Sequence, residues 1–219
     1  MHRTLTALPT FAGGDLNRAT EQRPQAEMLY RRADAKVLPL WRGKPLFRVA
    51  DEAMAPLLLG WLEAGDPLLA EAAEGPLFLG THDGAPRFAL DVSHLGPPDD
   101  GTPRPFLDRE TLEPAPGLAF MDLRAVMAQL DPVIAGDAAT AKGVIEWHRT
   151  HRHCARCGAP TAMEDGGWRR GCGACGAKHF PRTDPVVIML VLHGDKVLLG
   201  RQAAWPERMY SLLAGFMEP

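Results

Sequence analysis

Apolar positions are scattered and unpatterned through residue 35, and that stretch reads as polar and irregular. From Lys36 the rhythm turns β-like. It predicts strands over 36–41, 45–49, 77–80 and 87–92. The last two flank His82-Asp83-Gly84, and Asp-Gly tolerates the positive φ angles of a tight hairpin. Residues 97–105, rich in proline, glycine and aspartate, read as a loop. Two helices are expected next, over about 118–130 and 132–149, the second carrying Ile134, Ala138, Ala141 and Ile145 at helical spacing. After a cysteine-rich stretch, 185–192 reads "PVVIMLVL", a continuous β-branched run suited to a strand buried on both faces. His193-Gly194-Asp195 turns the chain into a second strand over 196–201.

The chain has 219 residues, enough for one large domain or two small ones, and 46% are apolar, so a packed core is expected. A net charge of −3 argues against a protein that grips nucleic acid or membrane with its whole surface. The longest apolar run, 186–192, falls far short of a membrane span. Residues 1–10 show no basic segment leading into an apolar one. The expectation is a soluble cytoplasmic protein with no membrane partner.

The four cysteines are the chemistry-bearing feature. Cys154-Ala-Arg-Cys157 and Cys172-Gly-Ala-Cys175 are two C-x-x-C pairs separated by 14 residues, with Gly158, Gly173 and Gly176 within or just after them. Tetrahedral zinc needs four soft ligands, and two glycine-rich knuckles supply them. Two disulfides or a rubredoxin-like iron are the alternatives, the first disfavoured in a reducing compartment. Four sulfur ligands leave no open position, so such an ion holds the fold rather than reacting. His148, His151, His153 and His179 crowd nearby and are expected at the surface. Residues 149–182 hold seven Lys/Arg against two acidic residues. That excess is either a solvated face or a surface for an anionic ligand.

The combination "HCARCGAPT…CGACGAKHFPRTDPVVIMLV…LLGRQ…YSLLAGFMEP" resembles the zinc-containing NADH pyrophosphatases of the Nudix superfamily. The resemblance is close over about 147–219 and architectural before that. It implies an α+β protein in three parts: an N-terminal Nudix-like α/β domain (1–146), a zinc ribbon (147–182) and the first strands of a catalytic Nudix α/β/α domain (183–219). It implies hydrolysis of NADH or NAD to nicotinamide mononucleotide and AMP, with NAD-capped RNA as a further substrate, by a homodimer using Mg²⁺ or Mn²⁺ beside the structural Zn²⁺.

Carried over residue by residue, Cys154, Cys157, Cys172 and Cys175 match the zinc ligands. Ala214 matches the position whose carbonyl helps hold a catalytic metal, and Phe180 and Phe216 match aromatic positions that contact the dinucleotide. Two positions depart from the pattern: Phe180 stands where the family often has tyrosine, and Gly167 where some members have a substrate-contacting glutamate. Arg201 and Glu218 are expected to be structural or surface residues. Gly215 matches the glycine that opens the Nudix box, which places the box carboxylates beyond Pro219. No catalytic residue is therefore assigned within the chain, and a truncated protein with little activity of its own is expected, its last 37 residues loosely held. The competing reading is a zinc-ribbon protein that binds nucleic acid or a protein partner through its basic stretch.

Overall fold

The computed structural model describes residues 8–49, 56–97, 102 and 105–218. The loop expected at 97–105 lies mostly outside the described residues, as do residues 1–7 and Pro219. The chain forms two compact units, one of Met1–Gly101 with Leu107–Pro181, the other of Thr102–Phe106 with Arg182–Pro219.

In the first unit a 3-10 turn (Thr20–Gln25) and helix α1 (Ala26–Tyr30) interrupt the region expected to be irregular. Leu29 is buried, and Tyr30 meets Phe88 edge-on at 5.1 Å, so a few apolar anchors dock this segment on the sheet. The sheet strands are β1 (Lys36–Trp41), β2 (Lys44–Arg48), β3 (Leu58–Leu59), β4 (Leu62–Glu63), β5 (Leu77–His82), β6 (Ala85–Asp91), β7 (Leu112–Ala115) and β8 (Leu118–Phe120). Their order is β5-β6-β1-β2-β8-β7, with β1 parallel to β6 and β2 antiparallel to both β1 and β8.

β1 and β2 pair only at Leu40–Pro45 and Trp41–Lys44, then splay apart. β4 takes Lys36 and Val37 of β1, while β3 takes Phe47 and Arg48 of β2. Pro39 falls between the two pairings, the one place in a central strand where its missing N–H leaves no rung unmade. The β5–β6 turn has φ 50° at Asp83 and 77° at Gly84, the paired positive angles expected of Asp-Gly. At Gly80 (φ 136°) a Cβ would sit 2.1 Å from the Asn17 carbonyl, which bonds the Thr81 amide. Only glycine lets the N-terminal segment approach the sheet there.

The helix expected over 118–130 is not one element. Leu118–Phe120 forms β8, the short helix α2 spans Leu123–Val126, and a 3-10 turn follows at Met127–Gln129. Asp122 caps α2 by accepting the Arg124 amide, so the helix starts only after the strand has paired with β2. Helix α3 (Pro132–Thr150) follows the expected span closely. Asp131 caps it, Pro132 occupies its first turn, and Ala135, Ala138, Ala141, Val144 and Ile145 are buried.

The ribbon strands β9 (Thr161–Glu164), β10 (Arg169–Cys172) and β11 (Lys178–His179) form an antiparallel sheet ordered β11-β10-β9. The second unit holds β12 (Val186–Met189), β13 (Leu192–His193), β14 (Lys196–Val197) and β15 (Leu213–Phe216). β12 pairs with β15 and β13 with β14, both antiparallel. Here the expectation of a doubly buried strand fails: Val186 to Met189 are 43–67% exposed, because a two-stranded ladder covers neither face. No described side chain of this unit is buried. Among the described residues no helix is long and apolar enough to cross a membrane.

Candidate metal centre and its surroundings

Each C-x-x-C pair folds as the same knuckle. The Cys154 amide donates to the Ala159 carbonyl, and the Gly158 amide returns to the Cys154 carbonyl, at 2.8 Å each. Cys172 repeats this with Ala177 and Gly176, at 2.9 Å each. Gly158 and Gly176 close the turns at φ 77° and 71°, a conformation in which other residues are strained.

The two knuckles face each other, and all four Sγ atoms lie within 4.8 Å of one another. The Cys154–Cys175 and Cys157–Cys172 sulfurs are 3.6 Å apart. A tetrahedron with metal–sulfur bonds of about 2.3 Å has sulfur edges of about 3.8 Å. A disulfide needs about 2.05 Å, so none of the four is bridged. The donor set fits a thiolate-bound ion and leaves no room for a further ligand.

The electrostatics point the same way. Burial opposes ionisation of Cys154, yet the amides of Arg156 and Cys157, with His179 Nε2 at 3.3 Å from Sγ, outweigh it and hold the thiol down to about 6. The Cys175 amide, working against burial, lowers Cys172. The Ala159 amide favours the Cys157 thiolate, but the neighbouring cysteines override it and push that thiol up to about 12. Four sulfurs this close cannot all ionise unless a cation joins them.

Behind the cluster lies a buried network that sequence reasoning missed. His148 is 3% exposed, not a surface residue as expected. Its Nε2 lies 2.7 Å from the Gly167 carbonyl, and its Nδ1 accepts from Arg170 Nη1 at 3.0 Å. Arg170, 2% exposed, grips Glu74 with two bonds of 3.0 Å and also holds the Thr161 hydroxyl and carbonyl at 2.8 Å. The ribbon is thereby fastened to α3 and to the loop before β5. Trp168 adds a bond from Nε1 to the Phe78 carbonyl at 2.7 Å. Two signals pointed here. His148 falls three and four residues after Ile145 and Val144 on a buried helix face, and Arg170 lies two residues before Cys172, on the same strand face.

The basic stretch is smaller in space than in sequence. Arg170 is consumed by Glu74, and Arg169, half-buried, by Glu164 at 2.8 Å. Arg149 pairs with Glu146 and Arg182 with Asp184. Arg152, Arg156 and Lys178 remain exposed without an ion pair among the described residues.

Phe180 follows β11 and is 60% exposed; Phe216 ends β15 and is 74% exposed. They belong to different units. Ala214 sits in β15 opposite Ile188. Gly167 is buried at φ 92°, where a Cβ would meet Leu77 at 2.7 Å, so a glutamate there would not fit without rearrangement. Among the described residues the cysteines are the one group of three or more His, Cys, Asp or Glu side chains placed to share an ion.

Two family models match the chain. Residues 34–147 match the NADH pyrophosphatase-like rudimentary NUDIX domain, and residues 149–180 match the NADH pyrophosphatase zinc ribbon domain. Among curated relatives, the NAD-capped RNA hydrolase NudC of Mycobacterium tuberculosis strain H37Rv is 46% identical over 99 residues, 45% of this chain and 32% of its own length. The chloroplastic Nudix hydrolase 19 of Arabidopsis thaliana is 35% identical over 211 residues, 85% of this chain and 45% of its own. The NAD-capped RNA hydrolase NudC of Stutzerimonas stutzeri is 36% identical over 120 residues, 55% of this chain and 44% of its own. The matches thus span from 32% to 45% of these relatives' lengths.

Proposed function

Because the chain belongs to the NADH pyrophosphatase family of Nudix hydrolases, we propose that it serves hydrolysis of the pyrophosphate in NADH, NAD or an NAD-capped RNA end, giving nicotinamide mononucleotide and AMP from the dinucleotide. The observation that carries this reading is the four-sulfur cluster fastened to the rudimentary Nudix domain through α3 and Arg170. Cys154, Cys157, Cys172 and Cys175 hold Zn²⁺, whose full coordination makes it a strut for the ribbon.

Catalysis needs a second ion. Mg²⁺ or Mn²⁺ supplies neutralisation of the phosphates and activation of water. The Ala214 carbonyl is the ligand this chain offers it. Phe216 is offered to a ring of the dinucleotide, and Phe180, in the other unit, is a separate aromatic candidate for such a contact. Their exposure supports this role, since an aromatic side chain more than half exposed contributes little to a core. The protein works as a cytoplasmic homodimer, a compartment in keeping with four reduced thiols.

No carboxylate cluster occurs among the described residues, so these 219 residues alone are expected to bind the dinucleotide but turn it over negligibly. The test is titration with NADH by fluorescence, then chromatography for AMP release with Mg²⁺ or Mn²⁺ present. Phe216→Ala should weaken NADH binding roughly five-fold or more, the loss of one stacked ring. Absence of NADH binding contradicts the reading; turnover within the roughly 1–10³ s⁻¹ of ordinary enzymes would show that the catalytic carboxylates lie within these residues. The exposed Arg152, Arg156 and Lys178 favour a second reading, a ribbon that grips an RNA backbone, and predict steep salt dependence for capped RNA but not for NADH.

A further inference from the structure

The rudimentary Nudix domain encloses a cavity of its own, of about 510 Å³, open to solvent. It lies among β1, β2, the β3–β4 segment, the β5–β6 turn and the first turns of α3. Its lining divides by chemistry. Asp137 of α3 and Asp15 form an acidic wall, and Asp15 Oδ2 is 3.3 Å from His82 Nδ1. Arg48 and Arg87 supply cations. Trp61, partly exposed, supplies a flat apolar surface, and the Arg87 guanidinium lies 5.8 Å from its ring centre.

Asp137 is the anomaly. It is 5% exposed, and its Oδ1 has no hydrogen-bond partner among the described residues. Buried acceptors are nearly always satisfied, and one that is not calls for an explanation. Burial, and then the charge of Asp15, pushes the Asp137 carboxyl up to about 6. Arg87 is half-buried and donates only to the Ala85 and Pro86 carbonyls, forming no ion pair among the described residues. Asp137 also hydrogen-bonds Asp15, and both Asp137 and Arg87 line the same cavity.

We propose that this cavity binds a mononucleotide whose base carries an exocyclic amine. The amine donates to Asp137 and Asp15, the base lies against Trp61, and the phosphate faces Arg87 and Arg48. An amino acid would satisfy the acid and the cation but leave most of the cavity empty and Trp61 unused. A polyamine would meet Arg48 and Arg87. A mononucleotide reaches all three walls, and the cavity lies within the ordinary size range of small-ligand sites. Neither the four cysteines nor Phe180 lines it.

The test is calorimetric titration of the zinc-loaded chain with AMP, IMP and adenosine. IMP replaces the amine with a carbonyl, and adenosine lacks the phosphate. AMP is expected to bind at one equivalent, with IMP and adenosine each at least about tenfold weaker, the loss of one charge-assisted contact. Asp15→Ala and Arg87→Gln, both at partly exposed positions, should weaken AMP by a similar factor with unchanged circular dichroism. Met28→Ala, at an exposed position of α1 outside the cavity lining, should leave AMP affinity as it was. Equal affinity for AMP and IMP, no binding at millimolar AMP, or an AMP affinity unchanged by Asp15→Ala would overturn the proposal.

Discussion

Glu74 is the residue whose removal tests how the ribbon is attached. It lies 96 residues from Arg170 in sequence yet takes both of its terminal nitrogens at 3.0 Å. Arg170 is 2% exposed, so Glu74→Ala strands a guanidinium charge in the interior. Removing one partner of a buried pair costs about 3–5 kcal/mol. The Glu74 side chain is 29% exposed, so water reaches the gap and the lower end applies, about 3 kcal/mol. Arg170→Met removes the charge and leaves the Thr161 carbonyl and His148 Nδ1 unpaired, at about 1–3 kcal/mol. Adding Arg170→Met to Glu74→Ala is therefore expected to recover stability rather than lose more, with a coupling of about 1–3 kcal/mol. Urea unfolding of the zinc-loaded chain reads all four corners of this cycle. Glu74→Ala should lower the midpoint by about 1–2 M at an ordinary slope. A shift within about 0.5 kcal/mol of the parent, or a double variant less stable than Glu74→Ala, would refute the reasoning.

Other consequences are equally direct. Asp137 is held more protonated in the fold than in the unfolded chain, so its contribution is full at acid pH and is lost as pH rises through about 6. Asp137→Asn should therefore stabilise the protein above pH 7 by about 1–2 kcal/mol after allowance for screening through the open mouth, as read by thermal unfolding. His148 has the opposite sign: burial lowers its pKa, so the unfolded chain binds more protons, and stability falls as pH drops below about 6.5. His148→Leu should flatten that acid slope whatever it does to absolute stability. Limited trypsin digestion should cut first after Arg182, since no described side chain of the second unit is buried; equal resistance of both units would contradict this. Cys172→Ser should lose metal and stability together, as followed by unfolding with and without chelator.

What the sequence disclosed depended on how local the cause was. Strand β1, the Asp83-Gly84 turn and the span of α3 are set by neighbours in the chain, and all three were legible. The misread helix at 118–130 had its own local warning: Pro116-Gly117, with Gly117 at φ 73°, turns β7 into β8. Leu118 and Phe120 stand two residues apart, which is strand spacing, and they pair with β2. The four cysteines were readable because the knuckle is written in a C-x-x-C-Gly run. The Arg170–Glu74 pair was not, since no pattern links residues so far apart. Nor was the exposure of β12, because burial depends on what lies against a strand and not on the strand alone.

The measurement closest to the central claim is the metal content of the purified chain, by elemental analysis beside a thiol count. One zinc per chain with four protected thiols, released together by chelator with loss of the folded ribbon, is the predicted result. Iron in place of zinc, or a metal-free chain carrying two disulfides, would contradict it.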